Sequence, residues 1–363
     1  MARSRTTPAL PACYALVQPG LEEVAAEEIQ QELGGEVKRT SRGVVVFRVE
    51  EIDDSLLRMR TTEDVFLLAW GTDDLTYRAE DLERIQKWTA RQADWNHLLR
   101  LHHAMRPLKG RPTYHLVSQM EGHHGYRRRD ARKALAEGLA GKIPTSWLEV
   151  EENAALEVWL SIDNATAVCG VRLSDRSMRH RTWKLEHRPA SLRPTIAAAI
   201  VRLGEVRPGQ VVLDPMCGAG TILAEFLDAT RKQHGRVPPL GGDIEMGAVR
   251  AARVNVRHLG LAHTLHWDAR RLPLGDDSID RIMSNPPFGK QLESPESIGP
   301  LYRAVIQEWD RVLRPGGRAV LLVGDIGALR AATKAVGWNS LRQLPIRVLG
   351  QPAMLTVWQK RPA

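Results

Sequence analysis

The chain is 363 residues long, 43% apolar and 26% charged, with 51 Lys and Arg against 43 Asp and Glu. That is a globular composition with room for two or three cores, and no run approaches the ~18 apolar residues of a membrane span. Three scattered cysteines (Cys13, Cys169, Cys217) exclude a disulfide framework and point to a reducing compartment, the cytoplasm.

Pro8 and Pro11 interrupt the basic start, so no export leader is expected. His102, His103, His123 and His124 lack the spacing of metal ligands, so no metal site is expected either. The charge is uneven: residues 100–133 carry nine basic and two acidic side chains, and residues 172–193 carry seven and two. A single basic run is ordinarily a solvated face. Two of them favour a polyanionic partner, because phosphate neutralisation dominates nucleic-acid affinity.

Residues 13–49 read as strand, helix, strand. An apolar strand at 14–17 turns at Pro19-Gly20 into a helix carrying Leu21, Val24, Ala25, Ile29 and Leu33 at helical spacing. Gly34-Gly35 ends that helix, and residues 44–47 return as a strand. A short helix at 55–59 and a strand at 65–70 complete a small α+β unit. Residues 78–108 predict one helix, with Trp88 and Trp95, seven apart, on a common face. A strand at 114–118 feeds the turn Gly122-His123-His124-Gly125-Tyr126, followed by a basic helix from Arg127 through Leu139 that turns Ala131, Leu135 and Leu139 inward. Two further strands occupy 156–162 and 167–173.

This element order, the turn at 122–129 and the ending Gly170-Val171-Arg172-Leu173 resemble the THUMP module and the ferredoxin-like domain that precedes it in RNA-modifying enzymes. The resemblance covers about residues 10–175 and implies a ferredoxin-like domain at 1–75 and a THUMP domain at 76–175. It also implies a grip on the 3′ end and acceptor stem of tRNA, with Tyr126, Arg127, Arg128, Arg129, Arg132 and Lys133 on the RNA.

A basic connector follows, in which Arg176, Arg179, Arg181, Lys184, Arg188 and Arg193 surround Trp183. Arg181 and Lys184 are expected to face RNA. Pro194 suits the first turn of a helix. His187 through Thr195 resembles the His-x-Pro-Ala-x-Leu-x-Pro-Thr pattern that precedes the catalytic domain in the same enzymes, which implies that Thr195 lies beside a cofactor. A plain interdomain linker is the alternative reading.

From residue 210 strands and helices alternate, the pattern of a doubly wound parallel sheet. A buried strand at 210–213 leads into Asp214-Pro215-Met216-Cys217-Gly218-Ala219-Gly220-Thr221 and then a helix at 222–227. Gly218 and Gly220 let backbone N–H groups approach a ligand closely. The spacing is not that of a dinucleotide or nucleoside-triphosphate loop. It resembles motif I of class I S-adenosylmethionine-dependent methyltransferases, which implies that residues 214–221 hold the cofactor. Asp243 ends the next strand, where an acid binds ribose hydroxyls, and Ile244 is placed to pack on adenine. Asp268 and Ala269 fit motif III, beside the adenine amino group.

The strand at 278–283 runs into Asn285-Pro286-Pro287-Phe288. Two prolines fix φ and supply no N–H, which leaves the carbonyl oxygens of Asn285 and Pro286 to accept both N–H bonds of an exocyclic amine. Phe288 is expected to stack on the ring, worth roughly 1–3 kcal/mol per base. The motif resembles motif IV of the methyltransferases that act on adenine N6, guanine N2 or a glutamine amide. Its resemblance makes Asn285, Pro286, Pro287 and Phe288 the catalytic set, with Asn285 also near the cofactor. Lys290 opens a polar loop, 290–298, expected to close over the base and touch RNA. A helix at 301–313, a fifth strand at 318–323 and a hairpin at 341–359 match the end of a mostly parallel seven-stranded sheet.

Together these resemblances imply a Rossmann-like class I methyltransferase domain at 176–363 behind ferredoxin-like and THUMP domains. The implied reaction moves a methyl group from S-adenosylmethionine to the N2 amine of a guanosine near position 6 of the tRNA acceptor stem, after the nucleotide flips out of its helix. A monomer is expected, and nothing in the sequence indicates a small activating partner. The alternatives are an adenine-N6 enzyme on RNA, a protein-glutamine methyltransferase, and an RNA-binding protein whose methyltransferase domain is inactive.

Overall fold

A computed structural model of the chain describes residues 10–108, 110–189, 191–233, 235, 237–288 and 298–362. The chain divides into two compact units, one of Met1–Val17 with Ala26–Met178, the other of Gln18–Ala25 with Arg179–Ala363.

The first unit is built on one eight-stranded sheet. Its strands are β1 (Ala12–Val17), β2 (Glu36–Ser41), β3 (Val44–Arg48), β4 (Thr62–Thr72), β5 (Thr113–Glu121), β6 (Leu148–Glu149), β7 (Leu156–Asp163) and β8 (Thr166–Arg172). Their spatial order is β2-β3-β1-β4-β8-β7-β5-β6. Strands from both sides of position 75/76 share this sheet, since β4 pairs antiparallel with β8. Gly170 makes that pairing possible: a Cβ there would sit 2.1 Å from the Leu67 carbonyl oxygen and 2.6 Å from the Tyr14 ring. Tyr14 and Phe66 stack at 4.5 Å in the core of the unit. Arg172 is held between Asp64 and Glu157.

Helix α1 (Glu22–Leu33) agrees with its periodicity, whereas the long helix expected at 78–108 is two, α2 (Glu80–Arg91) and α3 (Trp95–Met105). Asp94 is the reason. Its carboxylate accepts from His97 N at 3.0 Å and caps a fresh N-terminus. Trp88 and Trp95 therefore share no helix face: Trp88 packs 5.3 Å from Trp70, and Trp95 donates to the Thr89 carbonyl. Strand β2 escaped the sequence reading because Glu-Val-Lys-Arg-Thr-Ser has no apolar side to signal it; it is a sheet edge with alternate residues exposed. The basic helix is α4 (Arg128–Gly138).

The second unit is a seven-stranded sheet made of β9 (Val212–Asp214), β10 (Leu240–Asp243), β11 (His263–His266), β12 (Ile279–Ser284), β13 (Leu313–Val323), β14 (Asn339–Val348) and β15 (Gln351–Gln359). The order β11-β10-β9-β12-β13-β15-β14 is parallel through β13, and β15 returns antiparallel against it. One face is covered by α5 (Pro194–Gly204) and α6 (Thr221–Ala229), through Ile196, Ile200, Leu203, Ile222 and Phe226. The other is covered by α8 (Ile298–Val312) and α9 (Ile326–Ala335), through Tyr302, Val305, Ile306, Trp309 and Leu329. Helix α7 (Met246–Val256) follows β10. The chain leaves β9 toward β10 on one side and reaches β12 on the other. This reversal opens a crevice at the carboxyl ends of the strands, where open α/β sheets bind ligands.

Candidate active site

A cavity of about 540 Å³ occupies that crevice. Asp214, at the end of β9, is its most buried acid, only 1% exposed. Its carboxylate accepts from Ser284 Oγ at 2.8 Å and from Met216 N at 3.3 Å. Burial nevertheless pushes its pKa up to about 7, and the charge of Asp243 adds to the shift. A buried carboxylate in that condition is stabilised by any cation that reaches it.

The bend after Asp214 is held from several sides. Cys217 N donates to the Gly242 carbonyl at 2.8 Å, Gly218 N to Asp243 Oδ2 at 2.9 Å, and Trp267 Nε1 to the Pro215 carbonyl at 3.0 Å. Asn255 Nδ2 donates to the Ala219 carbonyl at 2.8 Å. Gly218 and Gly220 have φ of 52° and 73°, where side chains are strained. A Cβ on Gly220 would lie 2.8 Å from that of Ala252, while one on Gly218 would meet nothing. Gly220 thus allows the loop to pack on α7, and Gly218 keeps its open side clear.

The connector forms another wall with Arg188, Pro189, Ser191 and Leu192. Asn255 fastens it by accepting from Leu185 N and Glu186 N, both at 2.8 Å, and donating to the Glu186 carbonyl at 3.0 Å. Arg188 pairs with Glu245, another lining residue. Asp243, Ile244, Asp268, Ala269 and Arg270 complete that side. Asp268 is bound to Arg270 through both carboxylate oxygens, which hold it below the usual carboxylate range.

Asn285 and Pro287 close the far side. Asn285 Oδ1 is buried and has no hydrogen-bond partner among the described residues. The Pro287 carbonyl accepts from Tyr302 Oη at 2.9 Å. Pro286 is buried, and neither it nor Phe288 lines the cavity. Phe288 is half-buried against the α5–α6 side of the core, its Cβ and Cγ 2.8 and 2.9 Å from where a Cβ on Gly324 would stand. In this structure the ring packs against the core beside Gly324.

Pro215, Met216, Cys217, Gly218, Ala219 and Thr221 line the cavity, whereas Gly220 and Thr195 do not. Thr195 is buried in α5. Sequence reasoning named Arg188 only as part of the basic connector and did not single out Ser191, Ser284, Glu245, Arg270 or Tyr302. The His187–Thr195 pattern drew attention to the connector, but nothing local distinguishes the others.

The residues expected on RNA divide. Arg127, Arg128, Arg129 and Lys133 are exposed. Arg132 is bound to Glu149 and to the Leu116 carbonyl, and the ring of Tyr126 is buried, 6% exposed. Arg181 is a correction: its side chain is 10% exposed and pairs at 2.8 Å with the fully buried Glu225. Lys184 is another, donating to the Leu192 carbonyl, with burial lowering its pKa to about 8. Lys290 and the loop after it lie outside the described residues, apart from Ile298 at the start of α8.

The strand order, the glycine bend and the acid at the end of β10 define a class I methyltransferase sheet. Residues 181–346 match the family described as RMKL-like, methyltransferase domain. The bovine tRNA (guanine(6)-N(2))-methyltransferase THUMP3 is 32% identical over 60% of this chain and 45% of its own length. The tRNA (guanine(6)-N2)-methyltransferase of Thermus thermophilus is 32% identical over 59% of this chain and 63% of its own. The chain thus spans about half the length of the curated relatives it matches. The crystal structure of TrmN from Thermus thermophilus superposes with a TM-score of 0.75 at 26% identity, over 96% of this chain and 99% of that one. Among the described residues no helix is long and apolar enough to cross a membrane.

Proposed function

We propose that the protein methylates the exocyclic N2 amine of a guanosine in the acceptor stem of tRNA, at position 6, with S-adenosylmethionine as donor. The observation that carries this reading is the buried Oδ1 of Asn285, without a hydrogen-bond partner among the described residues, on the same cavity as Asp214 and the glycine bend. Two relatives named for guanine(6)-N2 methylation of tRNA support the choice of base and nucleic acid.

The residues present fit that donor. Asp214 is a buried acid favouring a cation, Gly218 leaves open space for an approaching ligand, and Asp243 ends β10 at the cavity wall. When bound, the donor supplies an electrophilic methyl group on a sulfonium. Asn285 Oδ1 accepts one N–H of the amine, which draws the nitrogen lone pair out of conjugation with the ring and directs it for attack. As a neutral amide Asn285 is no strong base, so the proton departs to solvent after the bond has formed. The carbonyl dipoles stabilise the transient positive charge. Catalysis is chiefly positioning and desolvation, and the base reaches the cavity only by leaving its helix.

The first unit is the tRNA-binding part in this reading, a ferredoxin-like and THUMP pair at 1–75 and 76–175, with exposed Arg127, Arg128, Arg129 and Lys133 supplying phosphate contacts. The protein acts as a cytoplasmic monomer; its buried free cysteines suit a reducing compartment. The test is to incubate unmodified tRNA with enzyme and methyl-labelled donor and digest to nucleosides. Labelled N2-methylguanosine from position 6 is expected, and N6-methyladenosine or unlabelled tRNA overturns the reading.

A further inference from the structure

We propose that Tyr302 is a positioning residue for the acceptor loop: its hydroxyl, donating to the Pro287 carbonyl, sets the geometry in which Asn285 presents its oxygen. The proposal rests on the methyl-transfer reading above and deepens it by naming what holds the loop in shape.

A loop with consecutive prolines lacks two of its N–H groups, so carbonyls and side chains must fix it. Upstream, Ser284 is fully buried and tied to Asp214. Downstream, Phe288 is pressed against Gly324. Between these anchors stand Asn285, Pro286 and Pro287, and the bond from Tyr302 Oη at 2.9 Å is the hydrogen bond reaching them among the described residues. Tyr302 is well suited to be the fixed point. It is 1% exposed on α8, packed in one cluster with Val305, Ile306 and Trp309. Burial, together with the charge of Asp325, holds the phenol protonated, so toward the carbonyl it can only donate. Leu301 beside it lines the cavity and Tyr302 does not; its influence passes through Pro287.

The experiment compares the wild type with Tyr302→Phe and with Val305→Ala, a core change on the same helix that leaves the Tyr302 hydroxyl in place. Three quantities are measured: kcat with tRNA, the Kd of S-adenosylmethionine by calorimetry, and hydrogen exchange of the peptide covering residues 280–288. Tyr302→Phe should lower kcat by about 10- to 100-fold, leave the cofactor Kd within about twofold, and speed exchange in that peptide relative to β9. Val305→Ala should lower the melting temperature without the kcat loss. Unchanged exchange in Tyr302→Phe, a cofactor Kd that weakens in step with kcat, or an equal kcat loss in Val305→Ala each overturns the proposal. A wild-type protein that binds the cofactor but methylates no tRNA would instead overturn the function reading, and the exchange comparison would still judge Tyr302.

Discussion

The two ends of the cavity are held by opposite means. At the Asp214 end an ionisable, buried group sits behind a bend whose backbone N–H and C=O groups are bound to β10, Trp267 and α7. At the Asn285 end two prolines remove the donors such a network would need, and the loop is held through a carbonyl and a packed ring. Under the proposed function the first end recognises a ligand by charge, so its affinity should follow the protonation of one carboxylate. The second, under the same proposal, recognises a neutral amine by geometry, so it should be sensitive to position and indifferent to pH in the same range. Each arrangement would suit its proposed partner, a cationic donor and an uncharged base.

The difference can be broken most severely at the neutral end. Asn285→Ala should lower kcat by roughly 10²–10³-fold, the scale of losing one preorganised group at a reacting centre, while calorimetry shows cofactor and tRNA affinity nearly unchanged. Equal losses in cofactor binding would mean the two ends are not separable. Next in size is the strut behind the charged end. Arg181→Ala breaks the ion pair to the buried Glu225 on α6, and breaking such a pair costs about 3–5 kcal/mol, read as a large drop in the denaturation midpoint.

The pH response separates the ends further. Asp214 has a folded-state pKa raised to about 7 by burial, so the folded protein holds that proton more tightly than the unfolded chain does. Stability of the ligand-free protein should therefore fall as pH rises from the ordinary carboxylate range to about 7 and level off above it. Affinity for the cationic donor should rise about 10-fold between pH 6 and pH 8 as the carboxylate ionises. Asp214→Asn should abolish both trends, and Ser284→Ala, removing a hydrogen bond that favours the ionised form, should move the midpoint upward. A donor affinity flat across this range would remove Asp214 from cation recognition. The smallest effect is expected on the first unit. Replacing Arg127, Arg128 and Arg129 with Ser should weaken tRNA binding and reduce the magnitude of its salt slope by about 2–3, measured by filter binding at several salt concentrations.

The basic residues show how far a sequence can be read. Arg127–Arg129 and Arg181–Lys184 look alike as strings of positive charge, yet the first three side chains are exposed and the latter two are bound to Glu225 and to the Leu192 carbonyl. Composition records charge but not the partner that neutralises it, and Glu225 lies 44 residues away along the chain. The glycine bend, by contrast, was legible because its requirement is local: positive φ and close backbone approach select glycine at Gly218 and Gly220 wherever the rest of the chain goes.

The sequence alone determined the alternation of strands and helices from residue 210, the acids at the strand ends and the proline loop, since each follows from nearest neighbours in the chain. Tertiary structure alone decided that Phe288 packs against Gly324, that Tyr302 holds Pro287 and that Asn255 joins the connector to the glycine bend. Those contacts join segments separated by tens of residues, and no local pattern specifies which of many equivalent tyrosines, glycines or asparagines will meet once the sheet has closed.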